Sequence, residues 1–362
     1  MPLQPAQLRD ALATIIDPDT KKDIVTAGMI KDICTEGDGI SIELEVHSTD
    51  NMIRQRFQEE IESAIRNAGQ IHQVQVAGIK VTFTQDTRSA NQQVKDAGNP
   101  LPNVKKIIAV GAGKGGVGKS TVSITIAIGL ARKGLKVGLL DGDIYGPSMP
   151  TMLGLHEIDS KSEDGLLIPF EAHGIKSMSI GKLVDPDHAL VWRGPRAHSA
   201  FNQLATKTNW GELDYLIVDL PPGTGDVPLS LAQLLPLTGA VIVCTPQVVA
   251  QDDARRAIRM FQQLGVPILG LVENMSYFVA DDGKQYDIFG TGGGEQLSAK
   301  MNIAFLGGVP IHPSMRIAAD EGEPLKNWEI NDAMSAAFDG VCANVENAAA
   351  SSLPDRPTLT IN

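Results

Sequence analysis

Residues 107–121 read IIAVGAGKGGVGKST, and this stretch decides the fold. An aliphatic run over 107–112 enters a turn in which Gly113, Gly115, Gly116 and Gly118 leave little but backbone. A helix-forming stretch over 121–132 leaves the turn and is closed by Gly134. Between them, GKGGVGKS satisfies the pattern G-x-x-x-x-G-K-[ST] in a strand–loop–helix setting. Glycines there let successive backbone N–H groups converge on phosphate oxygens at the positive end of a helix. Lys119 adds a charge for the β and γ phosphates, and Ser120 offers a hydroxyl to Mg²⁺. The candidate nucleotide contacts are thus Gly113, Lys114, Gly115, Gly116, Val117, Gly118, Lys119, Ser120 and Thr121. An ordinary glycine-rich turn would need strand, motif and helix to coincide by chance.

Working outward, short aliphatic runs recur between helical stretches: KKIIAVGA, KVGLLDGD, LDYLIVDL, AVIVCTP and PILGLVEN. Continuous apolar runs, rather than alternating ones, indicate strands covered on both faces. The expectation over 104–347 is an α/β fold, a parallel-sheet P-loop NTPase with helices on either side. One run delivers Asp141 and Asp143 to the carboxyl edge of the sheet, and LIVDLPPGTGD delivers Asp219 to the same edge, where open α/β folds bind ligands. A carboxylate there can hold Mg²⁺, and a backbone N–H such as that of Gly223 can sense the γ phosphate. Taken singly, each strand-end aspartate also fits the role of capping the next helix. No N-K-x-D guanine-reading motif occurs, which favours ATP.

Ahead of this unit, residues 1–85 read as a small α+β domain. Leu8, Leu12, Ile15 and Ile16 have helical spacing, ended by Asp17-Pro18-Asp19. Ile40, Ile42, Leu44 and Val46 alternate with polar residues, a half-buried strand entered through the EGDG turn. Residues 52–68 form an amphipathic helix ended by Gly69, and 74–83 a further strand. Residues 86–103 are polar, with Gly, Asn and two prolines, and are expected to be a linker. Residues 348–362 are expected to be a flexible tail.

The chain has 362 residues, 43% hydrophobic and 20% charged, with a formal net charge of −12. That balance disfavours nucleic acid as a partner. No apolar run reaches the roughly 18–20 residues a membrane span requires, and the first residues lack a secretory pattern. The three cysteines, Cys34, Cys244 and Cys342, are far apart and form no C-x-x-C pair. Reduced thiols in the cytoplasm are the expected setting. Cys244 falls in an apolar strand, where packing is the simpler role, and Cys34 falls on a strand as well.

GKGGVGKS with a second lysine, Lys114, resembles the deviant Walker A loop of the MinD and ParA class of dimeric ATPases. That resemblance implies a homodimer in which Lys114 reaches the partner's phosphates; without a partner it reads as a solvated lysine. At DGDIYGPSMPTMLG, WRGP, DLPPGTGD, ENMSYF and YDIFGTGGGEQL the chain resembles more closely the Mrp/ApbC family of iron–sulfur cluster carriers. IIDPDTKKDIVTAGMIKDI looks like the cluster-assembly domain that many members carry in front. The resemblance implies that Asp143 guides the attacking water, Asp219 serves Mg²⁺ and Asn274 contacts adenine. It also implies a homodimer that bridges a 4Fe–4S cluster and delivers it to apoproteins. The family's C-x-x-C ligands would follow ENMSYF, where Ala280, Asp281 and Asp282 stand here, and Asn51 stands near the front domain's usual cysteine. Carboxylates are hard ligands, poorly matched to such a cluster. Cys342, in a C-terminal stretch where a plastid branch of the family has a cysteine, is the substitute candidate. The resulting expectation is an ATP-hydrolysing cluster carrier. A metal-free ATP-driven adaptor and a MinD/ParA-like positioning ATPase are the alternatives, the second lacking the basic tail it needs.

Overall fold

A computed structural model describes residues 3–17, 22–36, 39–46, 51–74, 76–85, 99–144, 146–182, 194–280 and 284–352. The chain divides into two compact units, Met1–Arg88 and Ser89–Asn362. The first contains α1 (Pro5–Leu12), β1 (Ile30–Glu36), β2 (Gly39–Val46), α2 (Asn51–Ile71) and β3 (Gly78–Gln85). The β1–β2 hairpin is antiparallel, with Glu36 opposite Gly39, and β3 runs parallel to β2. Ile40, Ile42 and Leu44 alternate inward, as period two requires, onto Leu8, Leu12, Phe57, Ile61 and Ile65.

Three boundaries differ from the sequence reading. The first helix stops at Leu12, and Ile16 pairs instead in an isolated bridge with Asp23. The second helix runs through Gly69 to Ile71. A Cβ at position 69 would lie 3.0 Å from Val74 O, so the glycine admits the returning chain rather than stopping the helix. The third strand starts at Gly78, not at residue 74. Residues 86–98 of the expected linker lie outside the described residues.

The second unit follows in order: β4 (Val104–Ala112), α3 (Lys119–Arg132), β5 (Val137–Asp141), α4 (Met149–Met152), β6 (Lys161–Glu163), β7 (Leu166–Ile168), β8 (Phe170–Ala172), β9 (Ile175–Ser179), α5 (Gly194–Thr206), β10 (Leu213–Asp219), α6 (Asp226–Ala232) and β11 (Gly239–Cys244). Then come α7 (Val248–Gln263), β12 (Ile268–Val279), β13 (Gln285–Tyr286), α8 (Gly293–Met301), β14 (Phe305–Ile311), α9 (Pro313–Glu321) and α10 (Asp332–Ser351).

Nine of these strands form one sheet, in the order β13-β12-β11-β4-β10-β5-β9-β8, with β14 on β12. Only the β12–β13 and β8–β9 pairings are antiparallel. All six residues of β11 and all five of β5 are buried, as expected of strands covered on both faces. The C-terminal stretch departs from the expected tail: α10 continues to Ser351, and Ala349 is fully buried against the core. Residues 353–362 lie outside the described residues.

Candidate functional site

The parallel strands all end at one edge, so their carboxyl-terminal residues gather there. Val110, Asp219, Asp141 and Ser179 stand side by side on β4, β10, β5 and β9. The loop between β4 and α3 crosses this edge. Gly118 adopts φ +78°, a left-handed conformation that favours glycine, as it turns into α3. Gly113 answers a different need: a Cβ there would lie 2.0 Å from Asp253 O on α7, so helix and loop touch backbone to backbone.

At the start of α3, Lys119 is 5% exposed, with Nζ 2.7 Å from Asp219 Oδ2 and 3.7 Å from Asp143 Oδ2. The contact with Asp219 is close but poorly directed, and Nζ makes no hydrogen bond of acceptable geometry. A buried ammonium in that condition has donors left over for a further acceptor, such as a phosphate oxygen. Asp219 is fully buried and accepts from Ser120 Oγ at 2.7 Å and Ser123 Oγ at 2.6 Å. This set of hydroxyl and carboxylate oxygens suits a hard cation such as Mg²⁺. Ser123 escaped the motif reading, although its i+3 spacing from Ser120 places it on the same helix face.

Asp141 is also fully buried. Ser179 Oγ donates to its Oδ2 at 2.7 Å, and the Asp143 N–H donates to its Oδ1 at 3.1 Å. Burial first, and then the nearby Asp219, pushes its carboxyl up to about 7. Burial also raises Asp143, against the pull of Lys119. Asp143 opens onto a cleft of about 570 Å³ lined by Pro221, Pro222, Gly225 and Val227. A larger cleft, about 630 Å³, lies at the opposite end of the strands, among Lys136, His173, Lys176 and Glu212. It touches none of these residues.

Three further residues of the expected site are placed as follows. Asn274 is 3% exposed, and its amide donates to Val117 O at 2.8 Å, beside Gly118. In this structure it buttresses the loop. The N–H of Gly223 is committed to Ala112 O at 2.8 Å, so it ties the Pro-Pro-Gly turn to β4 instead of pointing at a phosphate. Lys114 is half-buried and makes no ion pair or side-chain hydrogen bond among the described residues.

Cys342 does not fit the expected cluster ligand. It is fully buried between α10 and α3, where a Cβ on Gly129 would lie 2.2 Å from its Sγ, and it donates weakly to Thr125 O. Burial pushes its thiol up to about 12, and Cys244 likewise. Thiolates are the ligating form, so both positions read as packing. Cys34 is exposed on β1 and donates to Asp32 Oδ2. Ala280 is half-buried after β12, whereas Asp281 and Asp282 lie outside the described residues. Among the described residues, no group of three or more His, Cys, Asp or Glu side chains is placed to hold a metal ion. No helix among them is long and apolar enough to cross a membrane.

Comparison with known proteins agrees with this architecture. Residues 103–346 match the family described as NUBPL iron-transfer P-loop NTPase, and residues 5–81 match the one described as iron–sulfur cluster assembly protein. The iron–sulfur cluster carrier protein of Synechocystis is 44% identical over 326 residues, covering 87% of this chain and 90% of that protein. The iron–sulfur cluster transfer protein NUBPL of Dictyostelium discoideum is 46% identical over 269 residues, covering 74% and 80%. Among solved structures, a nucleotide-binding protein of Archaeoglobus fulgidus in complex with ADP aligns with TM-score 0.57 and 38% identity, over 66% of this chain and 93% of that one. The cell division ATPase MinD of Pyrococcus furiosus shares the fold, with TM-score 0.52 and 21% identity over 67% and 99%.

Proposed function

This chain belongs to the NUBPL iron-transfer P-loop NTPase family, and from that premise we propose that it binds and hydrolyses ATP to drive delivery of iron–sulfur clusters to apoproteins. The observation that carries the nucleotide half is Lys119, a buried ammonium at the start of a helix with no well-directed hydrogen bond. A triphosphate supplies acceptors for the N–H groups that the Asp219 contact leaves poorly directed. Ser120 and Asp219 would hold Mg²⁺, which when bound neutralises phosphate charge. The rest falls to the chain. Backbone N–H groups of residues 113–118 and the positive end of α3 cradle the phosphates. Lys119 then exchanges its carboxylate neighbour for phosphate oxygens, and Asp143, at the mouth of the cleft, orients the attacking water.

A homodimer across the nucleotide is part of this reading. It is supported by Lys114, a loop cation without a side-chain partner among the described residues, and by Val248 and Val249, which are 72% and 66% exposed on the first turn of α7. A cytoplasmic setting is supported by three cysteines, none of them in a disulfide. The cluster is cargo, and this chain's thiols do not match a four-thiolate site, since two of the three are buried in packing contacts. That observation favours a second reading, an ATP-driven adaptor whose client keeps the metal.

An anaerobic assay separates the two. The chain is supplied with iron and sulfide, desalted, and mixed with an apo iron–sulfur enzyme with or without MgATP. A carrier retains iron and activates the client in an ATP-dependent way, and Lys119→Ala abolishes this. An adaptor turns over ATP but retains no iron. A chain that neither binds nor hydrolyses ATP rules out both.

A further inference from the structure

The row at the carboxyl edge contains a residue that no motif assigns. Ser179 ends β9 and is 1% exposed, in direct register with Asp141, which is in turn in register with Asp219. Alternation along a strand sends one residue in two to each face, so residues in lateral register share a face. The three side chains therefore form a buried line with Asp219 at the phosphate loop and Ser179 at the far end.

Hydrogen bonding along that line has a direction. The Gly181 N–H donates to Ser179 Oγ at 3.1 Å. A hydroxyl has one hydrogen to give, and Ser179 gives it to Asp141 Oδ2 at 2.7 Å. The second oxygen, Asp141 Oδ1, accepts the backbone N–H of Asp143 at 3.1 Å. With Asp141 oriented at one oxygen, the other can fix the backbone of residue 143. From that backbone the Asp143 carboxylate reaches to 3.7 Å from Lys119 Nζ. A chain of hydrogen bonds thus runs from the 3₁₀ turn at Ile180–Lys182 to the backbone of Asp143, whose carboxylate faces the cleft.

We infer that Ser179 is a positioning residue for ATP hydrolysis, acting through Asp141 to hold Asp143 where it meets the attacking water. Its hydroxyl bonds Asp141 and the Gly181 N–H and no residue of the phosphate loop, so its effect falls on the chemical step and not on nucleotide binding. Misplacement of a catalytic group by about 1 Å is enough to slow a reaction substantially. The inference rests on the ATPase reading above.

The test is steady-state ATP turnover with Mg²⁺, together with ADP affinity by calorimetry, on full-length wild type, Ser179→Ala and Ser179→Thr. In Ser179→Ala, kcat should fall about tenfold while KM for ATP and Kd for ADP stay within about twofold. Ser179→Thr keeps the hydroxyl and should recover most of the rate. Should Ser179→Ala fail to fold, Asp141→Asn serves, since an amide cannot accept both donors through carboxylate oxygens. It should show the same split between kcat and KM. A Ser179→Ala rate within twofold of wild type overturns the inference and leaves the ATPase reading intact. A rate loss matched by an equal loss of ADP affinity, unrescued by threonine, also overturns it. A wild-type chain without turnover overturns both.

Discussion

The two edges of the central sheet carry similar residues and treat them differently. At the carboxyl edge, Lys119, Asp141 and Asp219 are 5%, 0% and 0% exposed. At the amino edge, Lys105 reaches Asp214 at 2.8 Å and Lys136 reaches Glu212 at 3.3 Å, with the lysines 75% and 65% exposed. The amino edge has the larger cleft, yet its lysines are solvated, and surface pairs of that kind contribute little. Burying charge is costly, and an edge that does so with incomplete hydrogen bonding is built for a ligand. Cavity volume favours the amino edge of this sheet; the cost of its buried charges favours the carboxyl edge, where the nucleotide is proposed to bind.

That contrast can be broken most directly at Lys119. Lys119→Ala should cut ATP turnover by about 100-fold or more, by analogy with loss of a preorganised donor to developing charge. Turnover near the wild-type level would remove the basis for assigning the carboxyl edge.

A smaller effect is expected at Asn274, which supports the loop without being part of it. Asn274→Ala leaves Val117 O without its donor. The loss of one hydrogen bond should weaken ADP binding by about tenfold in calorimetry. An unchanged Kd would mean that the loop holds its shape unaided.

Asp141 sharpens the comparison through pH. Its folded-state pKa, about 7, lies above its ordinary value of 3.8. The folded chain then keeps a proton that the unfolded chain releases, so this group makes stability fall as pH rises between those two values and adds no further slope above them. In the nucleotide-free chain, Asp141→Asn should flatten that fall, seen as a shallower loss of Tm from about pH 5 to about pH 7. A slope identical to wild type would place the titration elsewhere.

The smallest change belongs to the amino edge. Glu212→Ala, 83% exposed at its side chain, should leave turnover and ADP affinity unaltered. A clear loss of turnover there would make the larger cleft a second functional site.

Much of this was legible along the chain. The phosphate loop, the five buried strands and the carboxyl-edge aspartates each have a local signature, because backbone propensity, strand burial and glycine content act over a few residues. Helix ends were less legible. Gly69 resembles a stop signal, but the chain returning at Val74 makes it a packing site within a continuing helix. Cys342 looked available for metal because nothing in FDGVCANV reveals that Gly129, more than two hundred residues earlier, opens a slot for its sulfur.

The residue order alone established that this protein has a phosphate cradle, parallel strands leading to it, and acidic groups at their ends. Its folding decided which groups pay the electrostatic cost. Ser179 meets Asp141, and Asn274 meets Val117, only because non-adjacent strands and loops are brought into register at one edge. Hydrogen bonds and burial depend on such distant neighbours, whereas strand and turn formation depend mainly on near ones. For that reason the loop can be read from fifteen residues, while the condition of its lysine can be read only from the sheet around it.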